Sequence, residues 1–261
     1  MHRLTNRDLN VLKTLNKLRV LDIVTIYQLC GFTRYNKCAD RLSILVKEGY
    51  VISKTYNGSV KKYFTLTQKG MNILYPREER ITKNDKKYIY QKKPPVIKVS
   101  TINHELMVAK VLLQLLKSNH ELTIDDFKSD REMMMSLDYN SRVKEQHQCD
   151  LYCEKYKAKI EIELSVKKKN ELIKNFYLNG NNYVQVWIVN GNLLYNRLSN
   201  LLDINSKFVG EIVKSDDIDK KNINLFELHE KLYKTNGERH EEMEHLNELR
   251  EKRSKQMSMF D

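Results

Sequence analysis

The sequence predicts an α+β fold in two parts: a helical module with a β-hairpin in the first 75 residues, then an α/β domain with a mixed sheet. Three observations predict it. Leu9, Leu12, Leu15 and Leu18 recur at helical spacing. Asn57-Gly58 joins two β-prone runs, YVISKTY and VKKYFTL, and both positions of such a turn need positive φ. Further on, Ile160, Ile162, Leu164 and Val166 alternate with polar residues, and the apolar run YVQVWIV follows.

Each element of the first part has a local cause. Thr5 and Asp8 form a capping-box start, with Asp in the usual place of Glu. A second helix, Ile23 to Cys30, stops at Gly31. Thr33 is placed to cap a third, TRYNKCADRLSILVKEG, which ends at Gly49. Its apolar stripe is Cys38, Leu42, Leu45 and Val46, and its other face carries Arg34, Asn36, Lys37 and Arg41. After the hairpin, Thr67 caps a fourth helix, TQKGMNILY.

Three helices, a hairpin and a helix is the order of a winged helix-turn-helix, and YFTLTQKG resembles the strand-to-helix exit of bacterial winged-helix proteins. That resemblance covers residues 1–75. It implies that the third helix enters the major groove and the hairpin touches backbone or minor groove. The implied DNA contacts are Arg34, Tyr35, Asn36, Lys37 and Arg41 on the helix, and Lys54, Lys61 and Lys62 on the wing.

Charge points the same way. The net charge is +12, but residues 1–100 hold 21 basic and 7 acidic side chains, or +14, which leaves −2 for residues 101–261. A one-sided basic segment suits a polyanion, because each neutralised phosphate releases counterions.

Residues 76–100 contain all three prolines and many lysines, and read as a basic linker, either a plain connector or an arm along phosphates. Residues 101–235 read as helix (INHELMVAKVLLQLLKS), three strands (DFKSDREMMM, HQCDLYCEK, KAKIEIELSV), helix, strand, helix (NLLYNRLSNLL) and strand (KFVGEIV). Residues 236–261 read as a charged C-terminal helix, peripheral or used for oligomerisation.

The segment Lys159 to Lys167 carries the candidate chemistry. If Ile160 and Ile162 face the core, Glu161, Glu163, Ser165 and Lys167 share the opposite face. Two glutamates two apart repel unless a divalent metal or solvent neutralises them. On the preceding strand Cys149, Leu151 and Cys153 face the core, which puts Asp150 on the glutamate side, beside Glu163 if the turn is tight.

This pattern resembles the PD-(D/E)XK nuclease core. The resemblance implies Mg²⁺ or Mn²⁺ held by Asp150 and Glu161, with Glu163 in the place of the usual lysine and Lys167 four residues further on. It also matches Glu105, next to His104, to the helix-borne acid of part of that superfamily. Cys149 replaces the usual proline before the first acid, and EIE replaces EIK. A solvated acidic face is the plain alternative.

The N-terminal winged helix, basic linker, NHELMVAKVLLQL, lone strand Asp and EIELSVKK together resemble the replication-relaxation family of bacterial plasmids and conjugative elements. The resemblance implies a cytoplasmic protein that binds double-stranded DNA in replication, relaxation or mobilisation, alongside other replication or mobilisation proteins, with a homodimer left open. With the nuclease-like pattern it leaves open Mg²⁺-dependent nicking or, alternatively, a non-catalytic initiator or relaxosome accessory, and the sequence itself does not show strand cleavage. A winged-helix transcription regulator and a restriction-type endonuclease are the other readings.

Several classes are disfavoured. No run approaches the ~18 apolar residues of a membrane span, and the basic, periodic N-terminus does not read as a signal peptide. Cys30, Cys38, Cys149 and Cys153 form no CxxC pair and read as free thiols. There is no Walker motif, no GxGxxG and no HxH-like triad beside the 15 tyrosines, so ATP use and relaxase chemistry are poorly supported. Trp187 reads as core.

Overall fold

The computed structural model describes residues 3–55, 62–81, 87–90, 92–136, 149–165, 169–205 and 207–237. The chain divides by contacts into two units, Met1–Leu151 and Tyr152–Asp261.

In the first unit, helix α1 spans Asn6–Leu18, strand β1 Leu21–Asp22, α2 Ile23–Leu29, α3 Tyr35–Lys47, β2 Val51–Thr55, β3 Lys62–Leu66 and α4 Gln68–Leu74. The predicted order is therefore present, with one addition: β1 pairs antiparallel to β3, giving a sheet of order β1-β3-β2. A two-residue strand leaves no periodicity to read. Strands β2 and β3 pair antiparallel from Val51↔Leu66 to Thr55↔Lys62, while Asn57-Gly58 lies outside the described residues.

The capping box at Thr5 is formed, and Thr67 accepts from Gly70 N at 3.0 Å. Thr33 does not cap α3. Arg34 sits at the N-cap with extended backbone and no side-chain cap, because the helix starts one residue later than the Thr33 reading required. Cys38, Leu42 and Leu45 are buried and Val46 is half-buried.

The capping carboxylate also holds α3. Asp8 is fully buried and accepts from Thr5 N at 2.6 Å and Thr5 Oγ1 at 2.8 Å. It also accepts from Arg41 Nε at 2.6 Å and Arg41 Nη2 at 2.5 Å, a two-pronged pair. The same Nη2 reaches Arg3 O at 3.1 Å. Burial alone would raise the Asp8 pKa, but the Arg41 and Thr5 hydrogen bonds outweigh it and hold the carboxyl below its ordinary value.

The expected linker holds a two-stranded antiparallel ribbon, β4 (Glu78–Ile81) with β5 (Lys87–Tyr90). Helix α5 spans Ile102–Ser118 and packs against α1, α2 and β1, with Ile102 buried beside Val20 and Tyr63. The segment expected as one long strand is a short strand, β6 (Phe127–Ser129), followed by α6 (Asp130–Ser136). Ser129 and Glu132 explain the switch. Glu132 Oε2 accepts from Ser129 N at 2.9 Å and Ser129 Oγ accepts from Glu132 N at 3.3 Å, a capping box.

Strand β7 is Leu151–Cys153 and β8 is Ala158–Glu163. Helix α7 (Lys169–Asn179), β9 (Val184–Val189), α8 (Gly191–Ile204) and β10 (Val209–Lys214) follow, and residues 225–237 are helical. The larger sheet has the order β10-β9-β8-β7-β6. Strands β8, β9 and β10 run parallel, as helical crossovers dictate. Only four residues separate β7 from β8, too few for a parallel crossover, so the sheet is mixed. Strand β9 is buried along its whole length. Trp187 is core, packed with Leu172, Phe176, Leu194 and Leu198, and its Nε1 donates to Gln185 Oε1 at 3.0 Å. Among the described residues no helix is long and apolar enough to cross a membrane.

Two stability predictions follow from this packing. Asp8→Ala removes a helix cap and leaves Arg41 without its anion, so urea denaturation should show a loss of about 2–4 kcal/mol. Since the Asp8 pKa is depressed in the fold, its contribution is present above the ordinary carboxyl pKa and is lost as pH falls through the folded value. The Asp8→Ala variant should therefore show a flatter acid-stability curve in that range. Gly210→Ala should lower the urea midpoint by about 1–3 kcal/mol worth of stability, because a Cβ there would run into the main-chain oxygen of Gln185 on β9.

Candidate functional site

Two sets of residues come from the sequence, and the fold treats them differently. The first set lies on α3 and the hairpin. Arg34, Tyr35, Asn36 and Lys37 occupy the start of α3 and are all exposed, one turn before the buried Cys38. The Tyr35 ring meets Tyr27 of α2 edge-on at 6.3 Å between centroids. Arg41 differs: its guanidinium is bound to Asp8, so it positions α3 rather than facing outward. Lys54 and Lys62 are exposed toward the end of the paired strands that leads into residues 56–61, where Thr55 pairs with Lys62. Lys61 lies outside the described residues.

The second set is the carboxylates. Glu161 and Glu163 are not on a solvated face: they are 7% and 5% exposed. The register explains this. Glu161 lies beside Trp187 and Glu163 beside Val189, so both project from the sheet face on which Leu172, Phe176, Leu194 and Leu198 pack. Asn179 Nδ2 at the end of α7 donates to Glu161 Oε1 at 3.2 Å. Ser165 Oγ donates to Glu163 Oε1 at 2.9 Å, and Ser165 N does so at 3.3 Å. Lys159, on the same face, donates to Asn179 O at 3.0 Å. Lys167 lies outside the described residues.

Asp150 and Glu105 belong to the first unit, in a charged cluster that sequence reasoning only half found. His104 Nε2 lies 3.2 Å from Asp150 Oδ1. Arg19 donates to Glu105 Oε1 at 3.0 Å and to Asp130 Oδ2 at 2.5 Å. Lys17 pairs with Glu132 at 3.3 Å. Burial raises the Glu105 pKa, and Arg19 only partly offsets it. Arg19 closes α1 at φ 62°, ψ −50°, with Val20 N donating to Leu18 O at 2.6 Å. That is a γ-turn of the rare, strained hand. Arg19 and Asp130 were missed because partners 111 residues apart leave no periodic trace.

Could these acids hold the divalent ion? Among the described residues, no group of three or more His, Cys, Asp or Glu side chains is placed to hold a metal. Glu105 already faces a guanidinium, and Glu161 and Glu163 accept from Asn179 and Ser165. The described donor set does not fit the ion. The four cysteines are buried and form no disulfide, and burial pushes Cys30 up to about 11 and Cys38 up to about 12, so both stay as thiols.

Comparison with known proteins gives one match. No curated protein and no solved structure matches the chain. The family model for replication-relaxation matches residues 12–139, from the middle of α1 to just beyond α6. The match takes in α3, the hairpin and the Arg19–Glu105–Asp130 cluster, and stops before Asp150, Glu161 and Glu163. Over residues 12–139 the chain is similar to the replication-relaxation family.

Proposed function

We propose that residues 3–75 form a winged helix-turn-helix that docks on double-stranded DNA. On this reading the protein acts at a DNA site in plasmid replication, relaxation or mobilisation, in the cytoplasm where that DNA is. One observation carries the proposal: Arg34, Tyr35, Asn36 and Lys37 stand exposed together at the leading end of α3, beside a hairpin bearing exposed Lys54 and Lys62. Side chains at the start of the second helix of a helix-turn-helix are the ones that meet base edges, and wing lysines meet phosphates. The family match supports the setting.

The second unit, with its β8-α7-β9 crossover and an acid-x-acid strand, supports a nuclease-like α/β domain. We favour the non-catalytic form of this reading, an initiator or accessory protein, because Glu161 and Glu163 accept hydrogen bonds from their own domain.

Duplex binding measured by fluorescence anisotropy across a salt series tests the docking. Arg34→Ala and Lys37→Ala should each weaken binding, and loss of a phosphate contact should reduce the salt slope by about 1. Unchanged affinity and slope in the double variant would sink the assignment. Supercoiled plasmid incubated with the protein and Mg²⁺ or Mn²⁺ should stay supercoiled. Nicking that disappears in Asp150→Ala and Glu161→Gln would establish the catalytic reading instead.

A further inference from the structure

The second unit carries an aromatic face that the duplex-docking reading does not use. The helix at 225–237 begins with Asn224 as its cap: Asn224 Oδ1 accepts from Glu227 N at 3.2 Å, and Glu227 Oε1 accepts from Asn224 Nδ2 at 2.8 Å. Leu225 and Leu232 are buried, which turns Phe226, His229 and Tyr233 to one other side of the helix. Phe226 is 51% exposed and Tyr233 58% exposed.

These rings form a row. Phe226 meets Tyr156 edge-on at 6.2 Å, Tyr156 lies 5.6 Å from His229, and His229 meets Tyr233 edge-on at 4.8 Å. Tyr156 comes from the turn at 154–157 between β7 and β8, and is buried beneath the row. The same turn supplies cations. Lys155 Nζ is 5.4 Å from the Tyr156 ring centre and Lys157 Nζ is 5.8 Å from that of Tyr233. Lys157 has φ 45°, a conformation that lysine seldom adopts. Burial and the neighbouring Lys157 lower the His229 pKa, so that ring is neutral at pH 7. Of the nearby acids, Glu227 is turned to the helix cap, while Glu154 and Glu230 are exposed at the margin.

We propose that Phe226, His229 and Tyr233, with Lys155 and Lys157, form a platform for single-stranded nucleic acid. Flat rings half open to solvent stack unpaired bases, and the flanking lysines take the phosphates, which is how sequence-tolerant single-strand binders work. A duplex keeps its bases stacked inside and offers nothing to such rings. Lysines beside the rings favour a polyanion over an apolar protein face. The proposal deepens the replication reading, since opening DNA yields single strands, but its chemistry uses none of the residues on α3.

The test uses the full chain and a labelled oligothymidylate of about 16 nucleotides, followed by anisotropy. Phe226→Ala and Tyr233→Ala should each weaken binding by about five- to a hundredfold, and Lys157→Ala should flatten the salt dependence. Both rings are exposed, so these variants should fold as the parent does. Duplex affinity should stay unchanged in them, whereas Arg34→Ala should do the reverse, so the two readings fail separately. Three results would overturn the platform: no oligothymidylate binding by the parent chain, parental affinity in the Phe226→Ala, Tyr233→Ala double variant, or loss of self-association in that variant with oligonucleotide binding intact. The last would assign the face to a second copy of the chain.

Discussion

Asp8 is a carboxylate with no exposed surface, four hydrogen bonds to two residues, and a place at the junction of α1 and α3. A buried carboxylate is tolerated only when its lone pairs are matched, and here one charge satisfies both the open amide end of α1 and the guanidinium of α3. The consequence is geometric. Arg41 is drawn inward, two turns along α3 from Arg34, and α3 is held so that its leading residues point away from the core. The surface presented by the start of α3 is thus set by a buried ion pair two turns away.

The same rule governs the second unit with the opposite outcome. Gln185 on β9 donates to Phe176 O and Gly180 O and accepts from Trp187, tying that strand to the end of α7. One strand over, Asn179 and Lys159 bond to each other and Asn179 bonds to Glu161. A polar seam therefore runs along the helix-covered face of the parallel strands β8 and β9. Polar groups buried there destabilise the fold unless matched, and matched groups give the sheet and helix a definite register. Glu161 joins this seam through Asn179, while Glu163 is matched by Ser165.

What was legible in the sequence was local. The Thr5 and Thr67 caps, the leucine spacing of α1, the paired strands β2 and β3 and the buried run of β9 each follow from a few adjacent residues. The exposed face of α3 at Arg34, Tyr35, Asn36 and Lys37 was legible too, whereas Arg41 looked identical in kind to Arg34 until its partner 33 residues away was in view. Strand alternation correctly put Glu161 and Glu163 on one face, yet it could not say whether that face was wet. In a parallel sheet both faces are covered, so alternation loses its usual meaning of inside and outside. The Ser129–Glu132 box was readable and was outweighed by the β-like look of the run around it.

These contrasts give a way to separate functional from structural charge in this chain. Arg41, Glu105, Glu161 and Glu163 accept or donate to groups of their own unit, and removing them would expose a mismatch inside the fold. Arg34, Lys37, Lys54 and Lys62 are exposed, so holding them side by side stabilises nothing in the fold and adds mutual repulsion. The family match over residues 12–139 takes in those cations and ends before Glu161 and Glu163.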